Sequence, residues 1–154
     1  MRKFAAVLLM GCFATAAIAK SHVPTANTHA AIKSYVQQAA KVVAKSGPSC
    51  STFGSKDWAS GDYYIFVLGP DDKIVCHPNA SMVGKMNTDV VDANGKKVGV
   101  EIVANAKKKG GGWTDYVWPR PGTTNPVPKM TYSTRVQGPG GKWYVVAAGG
   151  YELK

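Results

Sequence analysis

Acidic side chains are scarce in this chain: nine Asp and Glu stand against nineteen Lys and Arg in 154 residues, giving a formal charge of +10. No carboxylate pair can be picked out for glycosidic chemistry, and two of the nine acids, Asp71 and Asp72, fall in a turn. Histidine is scarcer still, with only His22, His29 and His77. There is no His-Glu-x-x-His, no paired Cys-x-x-Cys and no Gly-x-Ser-x-Gly, so zinc sites and the serine-hydrolase elbow are disfavoured. A P-loop needs a glycine five residues before the glycine of its Gly-Lys pair. Ahead of Gly84, Gly95 and Gly141 that position holds Asn79, Val90 and Val136. These absences point away from an enzyme and call for no metal and no cofactor. Repeats and low-complexity tracts are absent too. What is present is a 45% apolar, 18% charged chain of one-domain length, able to build a core.

The one long uncharged run is at the start. Met1-Arg2-Lys3 precedes Phe4 to Ala19, which ends Ala17-Ile18-Ala19. A basic head, an apolar stretch and small residues at −3 and −1 read as a secretory signal peptide over 1–19. A short lead over 20–27 and one domain over 28–154 follow, and the destination is extracytoplasmic, in a bacterium the periplasm. A second reading takes Leu9-Met10-Gly11-Cys12 as a lipobox with a lipidated Cys12. No other segment is long and apolar enough to span a bilayer. Cleavage after Ala19 leaves two cysteines, Cys50 and Cys76. They form either a disulfide, as exported chains allow, or a pairing-free arrangement with Cys76 as a buried thiol.

Apolar residues at Ile32, Tyr35, Val36, Ala39, Ala40 and Val43 predict an amphipathic helix over 29–45, capped by Asn27 or Thr28 and stopped at Gly47-Pro48. Residues 48–61 read as an irregular connector. The run 63–68 reads as a doubly buried strand, and 73–77 as its hairpin partner. A short helix ends in Lys107-Lys108-Lys109-Gly110, where lysines complement the helix dipole. Strands follow at 113–118, 129–137 and 142–149. The order predicts an α+β fold, an antiparallel sheet with helices on one face.

Elsewhere the lysines are scattered. Although Trp113, Tyr116 and Trp118 could stack bases, mid-sheet aromatics more often pack a core, so nucleic acid is not the expected partner. On strand 112–118, Thr114, Tyr116 and Trp118 share one face. Amphipathic aromatics on a sheet face suit a small-ligand cavity. Lys129 opens the adjoining strand and could meet a carboxylate, and His77 could donate a second hydrogen bond. The plainer alternatives are a solvated edge lysine and a structural histidine.

The ordered series His77-Pro78-Asn79, Gly84-Lys85, Asp92-Ala93-Asn94-Gly95, Gly110-Gly111-Gly112-Trp113-Thr114-Asp115-Tyr116-Val117-Trp118-Pro119 and Pro128-Lys129-Met130-Thr131-Tyr132 resembles the single Cache domains, extracytoplasmic bacterial sensors. The resemblance covers about residues 28–151. It implies a PAS-like five-stranded antiparallel sheet with a long N-terminal helix on one face. On the opposite face it implies a pocket for short organic acids. The implied pocket residues are Tyr64, Phe66, His77, Tyr116, Trp118, Lys129 and Tyr132. Lys129 would neutralise the carboxylate, His77 and the tyrosines would hydrogen-bond it, and Trp118 would wall the alkyl part. The chain ends at Lys154 without an output module, so a membrane-bound kinase or chemoreceptor is the implied partner, with a homodimer through the long helix left open. The runner-up is a non-catalytic interaction protein that keeps the fold without a working pocket. Cys76 stands where the family has a small apolar residue, so the resemblance lends no support to a Cys50–Cys76 bridge.

Overall fold

A computed structural model describes residues 21–154. The signal-peptide reading and the lipidated-Cys12 reading lie outside the described residues. Helix α1, His29–Ser46, buries Ile32, Tyr35, Val36, Ala39 and Val43, the stripe spaced by three and four. The Thr28 hydroxyl accepts the Ala31 N–H to start it. Gly47 stops it at φ +77°, a conformation only glycine adopts cheaply, with its N–H on the Val43 carbonyl. Within the predicted connector, Cys50–Phe53 makes one helical turn, α2, capped by the Ser49 hydroxyl. Strands β1 (Phe66–Leu68) and β2 (Ile74–Cys76) form a hairpin, and α3 spans Val98–Ala106. Then come β3 (Gly112–Pro119), β4 (Pro126–Gln137) and β5 (Trp143–Tyr151).

The five strands make one antiparallel sheet in the order β2-β1-β5-β4-β3. Side chains alternate across it. Ile65, Val67, Tyr132, Val146 and Ala148 pack with α1. Phe66, Leu68, Tyr116, Val145 and Ala147 face the other way, against α3 and the segment before it. The sequence pattern placed both helices on one face, and the structure places them on opposite faces. Both sheet faces carry apolar residues, so each needs its own cover.

The predicted strand over 63–68 shortens to 66–68. Tyr64 and Ile65 are buried but unpaired, while Tyr63 bridges back to Ser60 across a turn at Gly61. An apolar, β-branched run encodes burial, and burial does not require a ladder partner.

The outer edge of β3 is covered by side chains. Asp92 accepts the N–H groups of Asn94, Lys96 and Val117, at 2.9, 2.9 and 3.2 Å. Asn105 Nδ2 donates to the Trp113 carbonyl and Lys96 Nζ to the Asp115 carbonyl. An edge strand's exposed backbone is thereby satisfied, and β3 is held in place beside the 90–96 loop.

The other edge strand, β2, is tied covalently. Cys50 on α2 and Cys76 on β2 form a disulfide with Cα atoms 5.2 Å apart, 26 residues apart in sequence. Closing a loop of that length adds about 3–4 kcal/mol in the chain-entropy account. Guanidinium unfolding of the oxidised chain is therefore expected at a clearly higher midpoint than that of the reduced chain or of Cys50→Ser/Cys76→Ser. Coincident curves would show that the folded protein carries no such bridge.

Candidate functional site

Two hairpins set the register of the site. The β3–β4 hairpin places Lys129 opposite Tyr116, and the β4–β5 hairpin places it opposite Tyr151. Directly opposed residues share a sheet face. Lys129 is thus flanked by two tyrosines, and Tyr64, from the unpaired segment before β1, closes over it. Its ammonium donates to the Tyr64 hydroxyl at 2.7 Å. The ammonium lies 4.4, 4.8 and 5.9 Å from the ring centres of Tyr64, Tyr151 and Tyr116, within cation–π range. The lysine stem passes over β5 where that strand carries Gly149. A Cβ there would stand 2.7 Å from Lys129 Cε and 2.5 Å from Thr131 Oγ1.

Lys129 is only 2% exposed. Among the described residues no carboxylate pairs with it. Burial pulls its pKa down from 10.5 to about 7, against a smaller opposing pull from the Asp62 charge. A buried cation lacking a counter-ion is costly and rare. Its remaining N–H donors suit an incoming anion.

His77 follows β2 immediately. Burial, and then the Lys129 charge, hold its pKa down at about 4, so the ring is neutral at physiological pH. Its Nδ1 accepts the Asn79 N–H at 3.0 Å, which puts the ring hydrogen on Nε2 and makes that atom a donor. The ring packs edge-on to Tyr64 at 5.2 Å and tilted to Phe66 at 5.8 Å. Tyr116 shares a 2.7 Å hydrogen bond with Thr131, and burial raises its pKa.

Tyr64, Phe66, His77, Tyr116 and Trp118 line one cavity of about 30 Å³ on the face opposite α1, with Ile74, Met82, Val90, Val98 and Ile102 as its apolar remainder. Lys129 does not line it: that residue borders a separate groove of about 410 Å³ with Tyr116, Val117 and Glu152, and meets this cavity through its hydrogen bond to Tyr64. Tyr64, His77 and Trp118 also border an outer groove of about 660 Å³ that runs beneath the β3–β4 loop.

Tyr132 is not in this group. It packs on the α1 face, 5.2 Å from the Trp113 ring, under the Lys33 ammonium and with its hydroxyl on the Gly110 carbonyl. Three positions from Lys129 on a strand, it must point to the opposite side. Tyr151, Gly149 and Asp92 belong to the arrangement without having been predicted as site residues. The first two were within reach of the sequence, since counting outward from the Gly-Pro-Gly-Gly turn pairs 137 with 143 and hence 129 with 151.

The model of the single Cache domain 2 family matches residues 15–152. The sensor histidine kinase MctS of Rhizobium johnstonii is 35% identical over 93 residues, 60% of this chain. That match spans 19% of the kinase's own length. A Cache chemosensory domain solved for its carboxylic acid recognition shares the fold at TM-score 0.55 and 29% identity, over 78% of this chain and 73% of its own. The periplasmic sensor domain of a chemotaxis protein does so at TM-score 0.55 and 28% identity, over 79% and 85%.

The lysine cage makes two measurable demands. Between pH 7 and 10.5 the unfolded chain holds more protons at Lys129 than the folded one, so stability rises with pH. The buried tyrosines act oppositely once unfolded tyrosines ionise near 10, so the clean window is pH 7 to about 9. The guanidinium midpoint of the ligand-free protein is expected to climb across that window, and Lys129→Met to abolish the climb. A level wild-type profile would mean that the ammonium already has a counter-ion. Separately, Gly149→Ala is expected to destabilise by about 1–3 kcal/mol through overpacking, with partial relief in Gly149→Ala/Lys129→Ala. Additive losses in the double variant would place the lysine stem elsewhere.

Proposed function

The chain belongs to the single Cache family of ligand-binding sensor domains, and from that premise we propose that it is an exported, non-catalytic sensor for a small organic acid. The observation that carries this reading is the ammonium of Lys129, buried among three tyrosines with no carboxylate partner among the described residues. A ligand carboxylate would supply the missing charge. The Tyr64 hydroxyl and the Nε2–H of His77 stand ready to hydrogen-bond it, and Trp118 would cover its carbon part. The related Cache domain that recognises carboxylic acids supports the ligand class, and the related kinase and chemotaxis domains support a role in signalling. No helix among the described residues is long and apolar enough to cross a membrane. In this reading the 1–19 leader directs the chain to the periplasm, where it reports to a membrane-bound kinase or chemoreceptor. The exposed face of α1 carries Lys33, Lys41 and Lys45, and the helix has no acid. An acidic partner surface suits that face better than a second copy of the same helix.

Thermal unfolding against a panel of organic acids tests the proposal. An acid present at a hundred times its Kd adds about 2.7 kcal/mol to stability and raises Tm by several degrees. The rise is expected in the wild type at pH 6.5, weaker at pH 8.5 where more Lys129 is neutral, and absent in Lys129→Met. An unchanged Tm across the whole panel would favour the interaction protein that keeps the fold without a working pocket.

A further inference from the structure

Arg120 follows β3 directly, on the rim of the outer groove, and its guanidinium meets two acids at once. One nitrogen pairs with Asp62 and the other with Glu152, the second at 2.6 Å. Both acids belong to the surroundings of Lys129. Asp62 stands two residues before Tyr64, whose hydroxyl takes the lysine's hydrogen bond, and its charge reaches the amine. Glu152 follows Tyr151 and borders the groove of about 410 Å³ together with Lys129. Its N–H donates to the carbonyl of Pro128, the lysine's chain neighbour, at 3.0 Å.

Tyr151 links the two cations. Its ring centre lies 4.8 Å from the Lys129 ammonium and 4.9 Å from the Arg120 guanidinium carbon. Its hydroxyl donates to the Pro119 carbonyl at 2.6 Å, which ties down the backbone that carries Arg120. A planar fork with two outward nitrogens suits two carboxylates at once. The three side chains are 32%, 36% and 65% exposed, so these pairs add little to stability. Their larger effect is on where the two negative charges sit.

Deepening the carboxylate reading above, on which it rests, we propose that Arg120 is a positioning residue for the site. It holds Asp62 and Glu152 off Lys129 and so leaves the amine open to an incoming anion. Without it, a freed carboxylate takes the place that a ligand carboxylate would occupy. The other titratable groups around Lys129 are Tyr64, Tyr116, Tyr151 and His77, all neutral between pH 7 and 9.

The guanidinium midpoint of the ligand-free chain, followed from pH 7 to 9, tests this. The climb expected of the wild type should vanish in Arg120→Met, because a paired Lys129 keeps its proton in the folded and unfolded chain alike. It should return in Arg120→Met/Asp62→Asn/Glu152→Gln. That triple variant lacks the same ion pairs, so a merely structural arginine would leave it impaired. Arg120→Lys is expected to flatten the climb in part, and it decides the matter if the methionine variant does not fold. Calorimetric titration with propionate at pH 6.5 reads the same effect from the ligand side. Kd is expected to rise about tenfold or more in Arg120→Met and to recover in the triple variant. A full climb in Arg120→Met and Arg120→Lys would overturn the proposal, as would a triple variant that stays flat. A level wild-type profile would overturn it too, since Lys129 would then be paired with Arg120 in place. If the climb vanishes and returns as stated while no organic acid binds, Arg120 guards the lysine and the carboxylate reading alone fails.

Discussion

A lysine amine held out of water, with no carboxylate partner among the described residues, is the constraint around which the middle of this molecule is arranged. Lys129 cannot be buried unless its stem has a path and its head has aromatic faces and an oxygen to meet. The path exists because β5 shrinks to Ala147 and Gly149 on that side of the sheet. The faces exist because two hairpin registers bring Tyr116 and Tyr151 opposite the same residue. The oxygen comes from Tyr64, which can lean over the sheet because its segment leaves the ladder before β1 begins. Each is a backbone property, and the pocket's charge depends on all three.

Much of the framework was legible in the sequence. The 3,4 spacing of α1, the alternation on β3 and the turn residues between strands are local patterns that the structure repeats nearly residue for residue. Alternation and hairpin adjacency also grouped Tyr116 and Trp118 with Lys129 and His77, whereas Tyr64, Phe66 and Tyr132 came from the resemblance to the family. Tyr132 shows the limit of that route. A motif supplies residue types in order, but strand parity decides their side, and parity puts Lys129 and Tyr132 on opposite faces. Tyr151 shows the reverse case, a site residue recoverable by counting register from a turn. What no local pattern encoded was the two-sided placement of the helices and the outer groove, because both arise from how separate segments pack.

The acid-poor composition takes on a different meaning once the fold is known. Two of the few acids are committed to holding backbone and cation in place. Asp92 ties the loop carrying Val91 and Ala93 to the strand carrying Tyr116 and Trp118. Asp62 helps hold Arg120, so the groove lining is electrically quiet. The one cation left without a carboxylate among the described residues at the centre of the site is Lys129. Scarcity of acids elsewhere leaves that amine without a neighbouring counter-ion among the described residues.

The disulfide joins these themes. Cys76 immediately precedes His77, on an edge strand of only three residues. The covalent link therefore anchors a wall of the cavity as well as a strand. A batch matured in a reducing compartment would contain properly folded molecules whose histidine wall is slack. Spectroscopic checks of folding would pass such material, and its weakened grip on ligand would be mistaken for a property of the sequence instead of its redox history.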